Sequence, residues 1–326
     1  MNDFMKAVQG ATTIAIAGHM RPDGDCVGAC MGLYGYIKSN YPDKRVTVFL
    51  EEFPDSFDYL RDEQAFVKVL GPGEAYDLFV SLDCGDEDRL GDALPVMKRA
   101  KRVCCVDHHI TNTNFADENY VFPDCCSTSH ILYNFMEDDK INYETACALY
   151  TGIIHDTGVF KHSCTTSETM RVAGKLMDKG IPFGKIIDGS FYMKSYKQLQ
   201  IMGRCLLESV RILDGRCIFS VVRKQVLDFY EAKPSDLDGV IDQMRTTEGI
   251  EVAILLDERE PGEYKVSMRS NDLVDVSVIA KFFGGGGHVK AAGCTIEGAA
   301  FDVINNLTLH IEKQLDSEQA DEIETE

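Results

Sequence analysis

The chain has 326 residues, of which 44% are hydrophobic, and it carries a net charge of −20 at pH 7. This size fits about two globular domains, and no apolar run is long enough to cross a bilayer, so we expect a cytoplasmic protein with no membrane partner. The acidic balance argues against binding of long nucleic acids, because proteins that follow a phosphate backbone use many Lys and Arg residues.

Strand and helix patterns alternate in the first part of the chain. Over residues 12–190 they predict an α/β fold with a doubly wound, mainly parallel sheet, and we take residues 1–190 as the first domain. The predicted strands are 12–18, 77–82 and 102–106, and the predicted helices are 27–37, 128–137, 143–155 and 168–179.

The remaining chain predicts a second, smaller α/β domain over residues 210–312. A polar and apolar stretch at 196–208 predicts a connecting helix within a linker at 191–209. Strands are predicted at 217–222, 252–257 and 264–269. The final acidic run predicts a disordered tail at 313–326.

The twelve cysteines include two adjacent pairs and no Cys-x-x-Cys spacing. This pattern is typical of buried, reduced thiols rather than of a disulfide framework.

Carboxylates and histidines follow the predicted strands of the first domain. In chain order they are His19, Asp23, Asp25, Asp83, Asp107, His108, His109 and Asp156. All except the last lie at or just after the end of a strand, and the carboxyl ends of parallel strands meet at one edge of a sheet. We therefore expect these side chains to converge.

This set of donors suits hard divalent cations. Carboxylates with a few imidazoles and no thiolate favour Mn²⁺, with Mg²⁺ or another divalent metal as the alternative. Two ions roughly 3.5–4 Å apart neutralise a phosphate ester, activate a water and stabilise the leaving oxygen. The pattern therefore predicts a two-metal phosphohydrolase.

The same residues resemble the motifs of the DHH phosphoesterase superfamily. The matching segments are His19-x-x-Pro-Asp-Gly-Asp25, Asp83, Asp107-His108-His109, and residues 152–158 with Asp156. The resemblance implies a metal-ligand set of His19, Asp23, Asp25, Asp83, His108 and Asp156. In this set Asp83 bridges two ions, of which His19 and Asp23 hold one.

The resemblance also implies catalytic roles for His109, Asp107 and Asp83. His109 is expected to face the scissile phosphate, as a phosphate ligand or as the general acid for the leaving oxygen. Asp107 is expected to orient His108. His155 is interpreted as an ordinary helix-end histidine, while the role of His130 stays open.

The glycine tract at 284–287 and the preceding strand resemble the DHH-associated domain. By itself such a tract favours a flexible linker, but here it lies between an apolar helix pattern and an apolar strand, which fits a backbone cradle for phosphate. The implied substrate-binding residues are Arg269, Ser270, Gly285, Gly286, Gly287 and His288.

Within the superfamily the chain is most similar to the short, two-domain NrnA-type group. This similarity implies hydrolysis of RNA of a few nucleotides (nanoRNA), pApA or pAp by metal-activated water. Cyclic di-AMP hydrolysis, inorganic pyrophosphatase activity of the family II type and nucleotide sensing without turnover are the alternatives. A processive RecJ-like exonuclease would need a basic channel, which the composition does not offer. The oligomeric state stays open, a homodimer included.

Overall fold

The computed structural model describes residues 2–67 and 75–325, without the side chains of residues 67 and 317–325. The chain divides into two compact units, Met1–Met193 and Lys194–Glu326. We call them the first and second domains and describe each by itself. None of the described helices is both long and apolar enough to span a membrane.

The first domain is built on a five-stranded sheet in the order β2-β1-β3-β4-β5, with every neighbouring pair parallel. The strands are β1 Thr13–Ala17, β2 Arg45–Phe49, β3 Leu78–Leu82, β4 Val103–Asp107 and β5 Glu118–Val121. Apolar clusters cover both faces of this sheet, one of them contributed largely by helices. The predicted doubly wound α/β fold is confirmed.

Eight helices of the first domain fall within the described residues. They are α1 Asp3–Gly10, α2 Gly24–Asn40, α3 Glu63–Val67, α4 Leu94–Met97, α5 Thr128–Phe135, α6 Tyr143–Asp156, α7 Ser167–Met177 and α8 Phe183–Ile187. Helices α2 and α6 pack so closely that a Cβ on Gly28 would lie 2.5 Å from the Ala148 carbonyl oxygen. Close packing of α2 against α6 brings the first turn of α2 near the last turn of α6.

The second domain has a mixed six-stranded sheet in the order β10-β11-β9-β8-β7-β6. The strands are β6 Val210–Ile212, β7 Cys217–Val222, β8 Val252–Glu260, β9 Glu263–Ser270, β10 Gly286–His288 and β11 Ala291–Glu297. Only the β7–β8 pair is parallel. The three strands predicted in this half of the chain are confirmed as β7, β8 and β9.

Helices cover both faces of the second sheet. They are α9 Tyr196–Leu207, α10 Lys224–Phe229, α11 Val240–Arg245, α12 Val276–Phe282 and α13 Ala300–Thr325. The first three contribute to one apolar cluster and the last two to the other. Helix α9, predicted as a connecting helix, buries Ile201 and Cys205 in the core of this domain.

Helix α13 continues past residue 312, where the sequence predicts the start of a disordered tail. Leu307, Ile311 and Leu315 are buried along one side of it, and this spacing of four residues extends the apolar stripe of the helix. Packing against the core therefore orders the chain as far as Leu315. Beyond residue 316 only the backbone is described, so disorder of that segment stays a prediction.

Candidate metal centre and its family

The loop after β1 brings the first predicted ligands to the end of the sheet. Asp23 is the N-cap of α2, and its Oδ1 accepts hydrogen bonds from two N–H groups of the first turn at 3.1 Å. His19 is buried, and its Nδ1 lies 2.9 Å from the carbonyl oxygen of Met20. The other ring nitrogen, Nε2, lies 3.7 Å from Asp23 Oδ2 and 3.6 Å from Asp83 Oδ2. The loop therefore directs one imidazole nitrogen between two carboxylates.

Asp25 is fully buried at the start of α2 and is held by the start of another helix. Its carboxylate accepts hydrogen bonds from the N–H groups of Thr128, at 2.6 Å, and Ser129, at 3.0 Å, in the first turn of α5. Burial raises its pKa well above the ordinary value, and the nearby carboxylates of Asp156 and Asp83 raise it further. The helix N–H groups offset part of this effect, and bound cations would favour the charged carboxylate further.

Asp83 lies at the centre of the cluster, just after β3. Its Oδ1 is 3.5 Å from His108 Nε2 and 3.7 Å from His109 Nδ1, while its Oδ2 faces His19. The hydroxyl of Thr128 donates to Oδ1 at 3.2 Å. The backbone of Asp83 has φ +54°, a left-handed conformation that a non-glycine residue adopts at some cost in free energy. This conformation turns both carboxylate oxygens towards the imidazoles.

His108 connects Asp83 to the end of α6. Its Nε2 lies 3.0 Å from Asp156 Oδ2. Burial lowers the pKa of His108, but the carboxylates of Asp156 and Asp83 outweigh it and raise the pKa to about 12. In the metal-free protein the imidazolium is thus a countercharge for these carboxylates.

His109 is the more exposed member of the pair and is oriented by Asp107. Asp107 is fully buried at the end of β4, and its Oδ1 lies 2.7 Å from His109 Nδ1. Its contact with His108 is to the backbone N–H, at 2.9 Å. Asp107, predicted to orient His108, instead contacts the ring of His109 and reaches only the backbone of His108. The side chain of His109 turns back to Asp107, whereas that of His108 points to Asp156.

Three overlapping groups of side chains have the spacing of a metal site, with donor atoms within 4.8 Å of one another. The groups are Asp25, His108 and Asp156; Asp83, His108 and His109; and His19, Cys26 and Asp83. Carboxylates with imidazoles are donors that fit divalent cations, and Asp83 and His108 each belong to two groups. The Cys26 thiol is a further possible metal donor, which none of the sequence motifs indicates.

The predicted substrate-binding residues of the second domain lie on β9 and on the edge of its sheet. Arg269 is half-buried, and its Nε lies 3.4 Å from Asp242 Oδ1. The Ser270 hydroxyl is buried and donates to the Val289 carbonyl oxygen at 3.3 Å, so it faces protein. Residues Gly286–His288 form the exposed edge strand β10, which pairs with β11.

The chain matches two family models, the N-terminal domain of the DHH family over residues 13–153 and the DHHA1 domain over residues 215–314. It is also 31% identical, over 306 residues, to the bifunctional oligoribonuclease and PAP phosphatase NrnA of Thermus thermophilus. That match covers 92% of this chain and 88% of the relative. The chain belongs to the DHH family. It is a DHH phosphoesterase, and the resemblance seen in its motifs is confirmed.

Further relatives support the same family at lower identity. The protein of Bacillus subtilis with the same name is 24% identical over 302 residues, covering 90% of this chain and 92% of that one. Among solved structures, an exopolyphosphatase-related protein from Bacteroides fragilis has a TM-score of 0.83 at 24% identity, covering 95% and 94% of the two chains. This second likeness shows a shared fold.

Several side chains that support the cluster around Asp83 belong to no motif that the sequence shows. Thr128 and Ser129 hold Asp25 from more than 100 positions away in the chain. The ring of His155 packs on Gly24, where a Cβ would lie 2.1 Å from the imidazole. It therefore supports the loop that carries His19 and Asp23. Burial lowers the pKa of His155 to about 4. The only sequence signal for these contacts is a Ser-Thr-Ser helix start at residues 127–129.

Two other histidines have local partners. The Nδ1 atom of His130, in the first turn of α5, lies 3.4 Å from Cys126 Sγ. The Nδ1 atom of His162 lies 3.0 Å from the backbone carbonyl oxygen of Asp156. His162 therefore contacts the backbone that carries a predicted ligand, whereas the described contact of His130 is to a cysteine.

Proposed function

We propose that this DHH phosphoesterase is a metal-dependent hydrolase that removes mononucleotides from RNA of a few nucleotides, including pApA, and dephosphorylates pAp. Relatives covering most of the chain carry the name of oligoribonuclease and PAP phosphatase. The strong net negative charge also favours a short substrate over a long nucleic acid. The observation that carries the proposal is the central position of Asp83 among three imidazoles.

The proposal assigns two divalent cations, with Mn²⁺ as the first choice, to this cluster. Asp83 would bridge them, His19 and Asp23 would hold one, and the other would be held by Asp25, His108 and Asp156. The cations supply charge neutralisation and lower the pKa of a water molecule. The distances from Asp83 to its neighbours on both sides support a shared ligand.

In this proposal a side chain of the protein, His109, protonates the leaving oxygen. The carboxylate of Asp107 is the first cause of a raised pKa at His109, burial opposes it, and the imidazolium form is favoured. Since Asp107 Oδ1 accepts a hydrogen bond from Nδ1–H of His109, the proton on Nε2 is the one available for transfer. The water oxygen bonds to phosphorus as the bond from phosphorus to the ester oxygen breaks, His109 donates its Nε2 proton to the departing oxygen, and the proton lost by the water passes to solvent.

The second domain would bind the rest of the substrate. The proposed contacts are Arg269, Ser270, Gly285, Gly286, Gly287 and His288. The exposure of β10 at the sheet edge supports access of a nucleotide to its backbone N–H groups. The buried hydroxyl of Ser270 supports a role in fixing the backbone more than a direct contact.

A substrate panel tests the function. We expect Mn²⁺-dependent product release from pAp, pApA and a 5-mer RNA, and little from a 24-mer RNA, cyclic di-AMP or pyrophosphate. Asp83→Ala should lower kcat at least about 10³-fold, since it removes the central carboxylate. Asp88→Ala, which replaces an exposed acid outside the cluster, is the matched control and should retain full activity.

Each other outcome of the panel has a definite meaning. Turnover confined to pyrophosphate would replace the proposal by a pyrophosphatase. Preferred cleavage of cyclic di-AMP would replace it by a cyclic dinucleotide phosphodiesterase. Metal binding without turnover of any compound would indicate a nucleotide sensor.

A further inference from the structure

The second domain contains a cavity of about 390 Å³, most of whose lining residues have no role in the assignments above. It lies on the face of the sheet that packs against α9, α10 and α11, because it shares Leu255 and Ile241 with that apolar cluster. Six charged side chains line it, namely Asp238, Asp242, Asp257, Arg259, Lys265 and Arg269. Arg269 is the single one of these six already proposed to contact substrate.

The charged side chains on the floor of the cavity follow from the register of β8 and β9. Asp257 is paired across the strands with Lys265, and Ala253 is paired with Arg269. Since alternate residues of a strand point to the same face, Lys265 and Arg269 lie on the side of β9 that carries the cavity. The sheet thus presents a carboxylate beside cationic side chains.

Asp257 is buried and Arg259 is half-buried, and each has part of its hydrogen-bonding capacity unused. Asp257 is 5% exposed, and its Oδ2 lies 2.6 Å from Arg259 Nη2. Within the described part of the chain, Asp257 Oδ1 and Arg259 Nε are buried with no hydrogen-bond partner. A buried polar group without a partner is destabilising, so the internal ion pair alone does not explain the arrangement.

The mixture of acidic and basic side chains limits the chemical class of ligand that the cavity can bind. Three carboxylates, those of Asp238, Asp242 and Asp257, would repel a simple anion, and three cationic side chains would repel a metal ion or an amine. A ligand that carries both an anionic group and neutral hydrogen-bond donors satisfies both. In a phosphorylated nucleoside the phosphate pairs with Arg and Lys, while ribose hydroxyls or an exocyclic amino group donate to a carboxylate oxygen.

We propose that this cavity is a binding site for a nucleoside monophosphate, with Asp257 Oδ1 as the acceptor and Arg259 and Lys265 as phosphate partners. The inference rests on the proposed function, because the ligand is a part of the substrates proposed there. It adds Asp257, Arg259 and Lys265, which no family motif in this chain includes. Metal in the first domain is not needed for binding at this site.

Calorimetric titration of the full chain in EDTA tests the site, with adenosine 5′-monophosphate, adenosine and inorganic phosphate as separate titrants. We expect the monophosphate to bind at least about tenfold more tightly than either of the other two. Asp257→Asn and Lys265→Ala should each weaken its binding at least about tenfold. Asp302→Asn changes an exposed acid on α13, whose core lies on the opposite face of the sheet, and should bind as the wild type does.

Lys265 is exposed, so Lys265→Ala keeps the test decisive if Asp257→Asn proves unstable. Unchanged affinity in both variants, equal affinity for inorganic phosphate, or no binding at millimolar concentration would overturn the inference. Hydrolysis of pAp with no binding in EDTA would contradict this site alone. Binding in EDTA without any hydrolysis by the metal-loaded protein would contradict the proposed function alone.

Discussion

The contact between Asp107 and His109 fixes which ring nitrogen of His109 faces solvent. Asp107 Oδ1 lies 2.7 Å from Nδ1, and Asn112 donates to the other carboxylate oxygen of Asp107 at 2.6 Å. A carboxylate held in this way keeps the tautomer and the ring orientation of its histidine partner. The proton available for chemistry is therefore the one on Nε2.

The role of His109 as a general acid can be separated from a role in binding phosphate. We expect His109→Gln to lower kcat for pApA by about 10²–10⁴-fold, because the nucleoside leaving oxygen then departs without a proton. For the p-nitrophenyl ester of a nucleoside 5′-phosphate, whose leaving group needs no proton, the loss should be below about tenfold. His310→Gln, in the second domain, is the control. Equal losses on both substrates would make His109 a phosphate ligand instead.

Asp77 offers a test of electrostatic stability away from the cluster. Lys101 and the N–H groups of Thr12 and Thr13 hold the pKa of Asp77 well below its usual range. Because the folded-state pKa is depressed, this stabilisation is present above the unfolded pKa of about 3.9 and is lost as pH falls further. Asp77→Asn should lower the free energy of unfolding by about 1–2 kcal/mol at pH 7.

Urea unfolding followed by circular dichroism at pH 7 and at pH 3 measures this effect. The difference between Asp77→Asn and the wild type should shrink at pH 3, because Asp77 then takes up a proton in the unfolded chain and not in the folded one. Asp92→Asn, an exposed acid, should match the wild type at both pH values. A difference that is constant with pH would assign the loss to packing rather than to charge.

The identities of the cluster residues could be predicted from the sequence, but their partners could not. A His or Asp just after an apolar strand has a predictable place at the sheet edge, and this held for His19, Asp83 and His108. Thr128 donates to Asp83 from 45 residues away, and no local pattern signals such a contact. Nor does a local pattern indicate that Asp107 contacts the ring of His109, since ring orientation depends on packing around the site.

Among the elements, the glycine-rich edge strand β10 shows how backbone approach limits substitution. Gly287 has φ +143°, and a Cβ there would lie 2.5 Å from the Ala291 carbonyl oxygen. At Gly286, its neighbour, a Cβ would meet no atom within 4 Å. The two glycines therefore differ in steric demand although they share one motif.

This pair gives a matched experiment on the role of β10. Gly287→Ala should lower the free energy of unfolding by about 1–3 kcal/mol, because it strains the backbone and separates β10 from β11. It should also raise KM for pAp if β10 binds substrate. Gly286→Ala should change stability by no more than about 0.5 kcal/mol. Equal effects of the two substitutions in urea unfolding would contradict the register of this strand.

The strands and helices themselves were predictable where their patterns are strong. β1, β3 and β4 are apolar runs, and buried strands of this kind were located correctly within one or two residues. β5 was not predicted, because Glu118–Val121 is half-buried and mostly polar at the sheet edge. Short elements that depend on tertiary contacts lack a periodic signal of their own.

At the scale of the whole molecule, the sequence predicts two α/β domains, and the structure divides the chain into two compact units. The sequence places a connecting helix at 191–209, whereas α9 is packed within the core of the second domain. This difference arises because the sequence of an amphipathic helix does not show which domain core its apolar face packs against. In the proposed function, the net negative charge of the chain favours short substrates over long nucleic acids.

In the proposed function, the cluster around Asp83 binds two divalent cations that drive hydrolysis of short RNA. The most direct test of this claim is to titrate EDTA-treated protein with Mn²⁺ and to measure bound metal and pApA hydrolysis in the same samples. We predict that the rate reaches its plateau at two bound ions per chain, and that Asp83→Ala binds fewer ions and shows no hydrolysis. Full activity of the metal-free protein, or of Asp83→Ala, would contradict the account.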